Sequence, residues 1–200
     1  VKIITTAEGG MAVTNNAELA HTMSLLRSHG ITRDEAHMTH APDGPWYYQQ
    51  IGLGFNYRMT ELQAALGLSQ MQRLDAFVAQ RHALAHRYDE LLAGLPVLTP
   101  WQHPDSYSGL HLYVIQLQLD QTPHPHRKVF EGLRAQGIGV NVHYIPVHTQ
   151  PYYARMGFNS GDYPHAEQYY AQAISLPMYQ DLTHAQQDTV VAALRKELTA

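Results

Sequence analysis

The chain has 200 residues, 44% of them hydrophobic, and 13 Lys and Arg stand against 17 Asp and Glu for a formal net charge of -4. That length suffices for one large or two small domains with a real core; no apolar run is long enough to span a membrane, and no basic stripe suggests nucleic acid as a partner. With no cysteine, disulfides, thiolate metal sites and cysteine nucleophiles are excluded, and a cytoplasmic location is expected.

The opening Val1-Lys2-Ile3-Ile4 lacks the basic-then-apolar layout of a signal peptide. It reads as interior sequence, so the chain is expected to be a fragment of a longer one. Glu8-Gly9-Gly10 predicts a turn feeding a short buried strand, Met11-Ala12-Val13-Thr14. Asn15 or Asn16 then caps a helix running to about Ser28. Leu19, Met23 and Leu26 fall on one face of it, and Gly30 ends it. Residues 31–55 form an irregular stretch with Pro42, Gly44 and Pro45. Connections of this length are uncommon and often functional.

Thr60 and Gln63 have capping-box spacing and open a long helix to about Leu92, with a break expected near Gln80. Its first turns are apolar nearly all round. They suit either a subunit contact or an internal core helix. Gly94 and Pro96 mark a boundary, after which the pattern turns to α+β. Leu110–Leu119 alternates as a half-buried strand. A helix with Val129, Phe130 and Leu133 ends at Gly137, and Ile138, Val140 and Val142 form one face of a further strand. Residues 145–162 are a Pro/Tyr/Gly-rich loop. Helices are expected over Pro164–Ala173 and Thr183–Leu198, the second with a capping box of Thr183 and Gln186.

Four groups of residues bear on chemistry. Lys2, beside a glycine turn, is either a surface charge or an amine that holds a cofactor aldehyde. Asn56, in Gly54-Phe55-Asn56-Tyr57-Arg58 before a helix start, can cap that helix or donate an amide hydrogen bond to an anion, and Arg58 can bind phosphate or carboxylate. Asn141-Val142-His143-Tyr144 leaves a strand for a loop, a common place for ligand contacts; His143 and Tyr144 offer hydrogen-bonding groups for sugar or phosphate oxygens, or His143 is satisfied internally. The 14 histidines include the pairs His82/His86, His37/His40 and His124/His126. None has the spacing and acidic neighbours of a zinc motif, and no metal site is expected.

Lys2 with Ile3-Ile4-Thr5-Thr6-Ala7-Glu8-Gly9-Gly10-Met11-Ala12-Val13-Thr14 resembles the lysine segment of the DegT/DnrJ/StrS-type nucleotide-sugar aminotransferases. Leu26-Arg27-Ser28-His29-Gly30 and Gly54 through Gly67 resemble the next motifs, continuing through Gln70, Leu74 and Arg81. His111-Leu112-Tyr113, Gly137-Ile138, Val142 through His148, and Ser175-Leu176-Pro177 extend the likeness over essentially the whole chain, in order. Within the family it is to members of pseudaminic acid biosynthesis. Sugar dehydratases of this fold put histidine at the lysine position, so Lys2 favours transamination.

The resemblance implies an α/β chain of the fold type I class: residues 1–94 as the C-terminal portion of a large domain that binds pyridoxal 5′-phosphate, and residues 95–200 as a small α+β domain. It implies transfer of an amino group from L-glutamate to a UDP-linked 4-keto-6-deoxy-N-acetylhexosamine by a homodimer. Lys2 would hold the cofactor and move the proton. Asn56 would reach the cofactor phosphate or substrate across the dimer interface. Asn141, Val142, His143 and Tyr144 would line the nucleotide-sugar site. The groups that grip the phosphate, stack on the ring and pair with the pyridine nitrogen are expected outside these residues, so the fragment alone is expected to be inactive. The loop at 31–50 is longer than the pattern. Two other outcomes stay open: a different nucleotide sugar, of the perosamine type, or a non-catalytic remnant that binds or assembles.

Overall fold

A computed structural model describes residues 2–199, which divide into two compact units: residues 4–72, and residues 73–199 together with Lys2 and Ile3. Among them no helix is long and apolar enough to cross a membrane.

In the first unit, α1 (Ala17–Arg27) starts at Asn16, whose side chain accepts from the Leu19 N–H at 3.0 Å. Gly30, at φ +68°, closes it by donating to the Leu25 carbonyl at 2.8 Å. The expected strand over Met11–Thr14 is absent. Met11 and Val13 are 84% and 86% exposed, because no second strand lies alongside to pair with them. The stretch 31–55 holds a short antiparallel ribbon of β1 (Ile31–Thr32) and β2 (Gln49–Gln50). Buried Gln49 closes the intervening loop: its Oε1 accepts from the Thr39 N–H at 2.7 Å, and its Nε2 donates to the His40 carbonyl at 3.0 Å.

Helix α2 (Glu61–Met71) carries the expected capping box, with Thr60 and Gln63 satisfying each other's backbone N–H groups. None of its residues is buried; Leu62, Leu68 and Met71 are 86%, 70% and 53% exposed.

The second unit opens with α3 (Leu74–Leu92). The break between the two helices thus falls at Gln72 and Arg73, not near Gln80. Arg81, Leu84, Ala85, Tyr88 and Leu92 face inward on α3, at the spacing of one helix stripe. They share one core with residues beyond Gly94, which is why this unit begins at Arg73. Its sheet has the order β3 (Val97–Leu98), β4 (Tyr113–Leu117), β5 (Ala173–Leu176), all antiparallel, with Tyr113 opposite Leu176 and Ile115 opposite Ile174. β4 alternates as expected. All four β5 residues are buried. The expected strand over 138–142 reduces to a single rung, Asn141 opposite Ser175.

Helices α4 (His126–Ala135), α5 (Pro151–Ala154), α6 (Pro164–Gln172) and α7 (His184–Thr199) complete the unit. Val129 and Leu133 of α4 and Val190, Leu194 and Leu198 of α7 enter the core. Removing a buried leucine such as Leu194 costs about 2–5 kcal/mol. Gln187 of α7 is buried and donates to the Leu84 carbonyl at 2.9 Å, tying α7 to α3.

Candidate functional site

Ser175, in the middle of β5, organises the second unit's site. On one side it pairs with Val114 of β4; on the other its N–H donates to the Asn141 carbonyl at 2.8 Å. At this rung Asn141, Val142, His143 and Tyr144 leave the sheet. Asn141 turns its own side chain back, its Oδ1 accepting from the Val142 N–H at 2.8 Å. Val142 and His143 are half-buried, and Asn141 and Tyr144 are exposed. The His143 Nδ1 lies 2.7 Å from the Ser175 hydroxyl, and the His143 and Tyr144 rings stand nearly perpendicular, 4.6 Å apart.

Two residues before β4 stands His111. Its backbone is held by Arg81 of α3, a buried guanidinium whose Nη1 donates to the carbonyls of Leu110, His111 and Met178 at 3.1, 3.3 and 3.2 Å. Arg81 Nε is buried without a partner among the described residues, and burial lowers the guanidinium pKa from its ordinary value. Tyr88 adds a second tie, donating from its hydroxyl to the Pro177 carbonyl at 3.0 Å. His111, Asn141, His143 and Ser175 all line an open cleft of about 990 Å³ that runs on past Ile138 and Tyr179.

Lys2 is exposed and joins this unit; among the described residues no carboxylate pairs with it. Its charge reaches both histidines. Burial first, then Lys2 and Arg81, hold the His111 imidazole below its ordinary value. Burial, with Lys2, does the same to His143. The arrangement is a primary amine whose charge acts on two imidazoles shifted toward their neutral form, with a buried guanidinium holding the backbone of one of them. Such a set favours an anionic ligand and offers proton carriers. A phosphate-bearing aldehyde suits it: the amine is open to attack a carbonyl carbon, and the local charge is positive.

Asn56 belongs to the first unit. It forms an antiparallel rung with Ser28, flanked by hydrogen bonds from Phe55 N to Leu26 O at 2.7 Å and from Tyr57 N to Arg27 O at 3.0 Å. The helix that follows is capped by Thr60, so the Asn56 amide is not used as a cap. Its side chain is exposed and makes no hydrogen bond among the described residues, and Arg58 is likewise exposed. Gly54 makes the rung possible: a Cβ there would stand 2.3 Å from Gly30 N and 2.6 Å from the His29 carbonyl carbon.

The structure therefore gathers Lys2, Asn141, Val142, His143 and Tyr144 in one unit and places Asn56 in the other. Sequence reasoning gave no role to His111, Arg81 or Ser175. His111 sits at a strand-to-loop junction like His143, the signal that could have found it. Several of the other histidines have partners of their own. His82 lies 2.8 Å from the Ser108 carbonyl and stacks on Tyr107, and His37 lies 3.1 Å from Asp34. Among the described residues no group of three or more His, Asp or Glu could hold a metal ion.

Comparison with known proteins gives a consistent pattern. The profile of the DegT/DnrJ/EryC1/StrS aminotransferase family matches residues 1–195. The spore coat polysaccharide biosynthesis protein SpsC of Bacillus subtilis is 36% identical over 197 residues, covering 97% of this chain and 50% of SpsC. The structure of Helicobacter pylori PseC, an aminotransferase involved in the biosynthesis of pseudoaminic acid, superposes with a TM-score of 0.85 at 32% identity, covering 99% of this chain and 51% of PseC. Spr1654 of Streptococcus pneumoniae, solved in PLP and PMP forms, gives TM-scores of 0.79 and 0.82 at 26% identity, covering 100% and 98% of this chain and 50% of Spr1654 in each form. The chain spans about half the length of the curated relatives it matches.

Proposed function

This chain belongs to the DegT/DnrJ/EryC1/StrS aminotransferase family, whose cofactor is pyridoxal 5′-phosphate, and on that premise we propose that the whole protein aminates a nucleotide sugar. Its fold is the α/β fold type I of these enzymes. In this reading L-glutamate gives an amino group to the 4-keto carbon of a UDP-linked 4-keto-6-deoxy-N-acetylhexosamine, in the cytoplasm. The observation that carries the proposal is Lys2, an exposed amine with no carboxylate partner among the described residues, whose charge lowers the pKa of both His111 and His143.

Each residue then has a task. Lys2 holds the cofactor and, once displaced, carries a proton to and from the reacting carbon. Bound cofactor supplies the carbonyl that carries the amino group between donor and acceptor. Asn141, Val142, His143 and Tyr144 line the nucleotide-sugar site. His143 offers a hydrogen bond to a sugar or phosphate oxygen, and Tyr144 an aromatic face. Asn56 donates its free amide to the phosphate or substrate of a second subunit in a homodimer. Residues 1–94 end the large domain and 95–200 form the small one, with α3 at the end of the first span sharing the core of the second. The remaining cofactor contacts come from outside this chain, so the fragment alone does not turn over. Support for the sugar comes from the likeness to PseC, 32% identical over 99% of the chain.

The test uses the full-length protein. Borohydride reduction followed by peptide mapping is expected to leave a pyridoxyl mass on Lys2, and Lys2→Ala to lose that label and on the order of 10³-fold or more in turnover. A label on another lysine, or none, removes the proposal. Among keto-sugar nucleotides, the UDP-linked N-acetylhexosamine is expected to react best; a preference for a perosamine precursor reassigns the substrate. No turnover with any of them leaves a binding module.

A further inference from the structure

The segment that follows Tyr144 is anchored from behind. Pro146 and His148 are buried, while Tyr144, Ile145 and Val147 are 69%, 51% and 59% exposed. The Pro146 carbonyl accepts from the N–H and hydroxyl of Thr149 at 3.1 and 2.8 Å. This closes a single 3-10 turn, Val147–Thr149, that points His148 inward. There His148 Nε2 lies 2.8 Å from the Glu167 carboxylate on α6, and its ring lies 4.8 Å from that of Tyr163.

The same carboxylate takes two further hydrogen bonds, from the Gly161 N–H at 2.6 Å and the Ser160 hydroxyl at 3.0 Å. Glu167 thus clasps both ends of the loop: the near end through His148, the far end through Ser160 and Gly161. Hydrogen bonds to a carboxylate are the strong ones, and these three close a long loop that carries Gly157 and Gly161 at positive φ. Tyr144, His148 and Glu167 do not line the cleft itself; Tyr144 directly follows His143, which does. What His148 and Glu167 fix is the path of the chain leaving Tyr144. A loop ordered in advance does not have to be ordered at the moment of binding.

We propose that His148 and Glu167 are positioning residues that hold Tyr144 where the nucleotide sugar meets it. The inference rests on the placing of Tyr144 in the nucleotide-sugar site. It predicts a particular kinetic split. Loss of the clasp weakens sugar binding more than donor binding, because a small amino-acid donor covers less of the site than a nucleotide sugar does.

The experiment uses the full-length protein with His148→Ala, Glu167→Ala and His148→Gln, in which the amide can take the place of Nε2–H. Two readouts are made. The first is trypsin cleavage after exposed Arg155 inside the loop, which reports the clasp without any enzyme assay. His148→Ala and Glu167→Ala are expected to be cut about tenfold faster, the glutamine variant at nearly the parent rate. The second is steady-state kinetics. KM for the nucleotide sugar is expected to rise about tenfold in both alanine variants, with kcat and the KM for the donor within about threefold of the parent, and to recover in the glutamine variant. Unchanged cleavage overturns the clasp. Faster cleavage with an unchanged sugar KM, or an equal rise in both KM values, overturns the positioning role. A parent protein that turns over no nucleotide sugar sinks the functional reading and the role of Tyr144 with it, while the cleavage rates still decide the clasp.

Discussion

Arg81 reaches Met178 across 97 positions of sequence, its Nη1 donating to that carbonyl at 3.2 Å from a buried position on α3. The same nitrogen gathers the carbonyls of Leu110 and His111, so one guanidinium joins the helix to the chain before β4 and after β5. Arg81→Leu removes a buried cation but orphans three carbonyls. The net loss expected is about 3 kcal/mol, read as a lowered unfolding midpoint in the full-length protein. Arg81→Lys is expected to recover little of it, since the lysine Nζ ends one bond short of the place where Nη1 meets the three carbonyls. Full recovery by lysine means charge alone matters there.

The two lowered histidines set a pH dependence. Above their ordinary value of 6.5, His111 and His143 are neutral in both folded and unfolded chains and contribute no difference. As pH falls through that value the unfolded chain takes up protons first, so stability drops. The unfolding midpoint is therefore expected to fall between pH 7 and about pH 5.5. The double variant His111→Gln/His143→Gln should show a flatter dependence; an equally steep one assigns the effect to other histidines.

Gly54 is expected to tolerate no side chain. A Cβ would stand 2.3 Å from Gly30 N and 2.9 Å from the Leu26 carbonyl oxygen, both backbone atoms that cannot step aside. Gly54→Ala should cost about 1–3 kcal/mol and displace the rung that presents Asn56. Cofactor retention on gel filtration should fall with it. Undiminished retention separates Asn56 from the cofactor.

Leu62 and Leu68 project from α2 with 86% and 70% exposure. Large apolar side chains left outside every core mark a contact surface. In the full-length protein Leu62→Asp/Leu68→Asp is expected to shift a dimer toward monomer in sedimentation velocity. A double variant that sediments as the parent does takes α2 out of the interface.

Much of this was legible in the residues themselves. Asn16, Thr60 with Gln63, and Thr183 with Gln186 cap the helices they signal, because a cap acts within three residues. β4 showed its alternation for the same local reason. β5 did not. All four of its residues are buried, so it has no period of 2, and only its first residue, Ala173, falls in an expected element, the helix over Pro164–Ala173. The alternation of Ile138, Val140 and Val142 predicts a strand through Asn141, yet only one backbone pair forms. In the site, family motifs pointed to Lys2, Asn56 and Asn141 through Tyr144. The partners that hold His111 and His143 lie 30 and 32 positions away in Arg81 and Ser175, and no local pattern encodes such a distance.

The contact between His143 Nδ1 and the Ser175 hydroxyl has a consequence for recognition. A hydroxyl can donate or accept by rotating one proton. When Ser175 donates, the neutral ring carries its hydrogen on Nε2 and presents a donor outward; when Ser175 accepts, the tautomer reverses and Nε2 presents a lone pair. One histidine can thus greet a ketone oxygen and later an amine hydrogen without moving a heavy atom. A reaction that turns a hydrogen-bond acceptor on the sugar into a donor is served by a residue whose own polarity is reversible, and Ser175→Ala would take away the hydroxyl that supports either state.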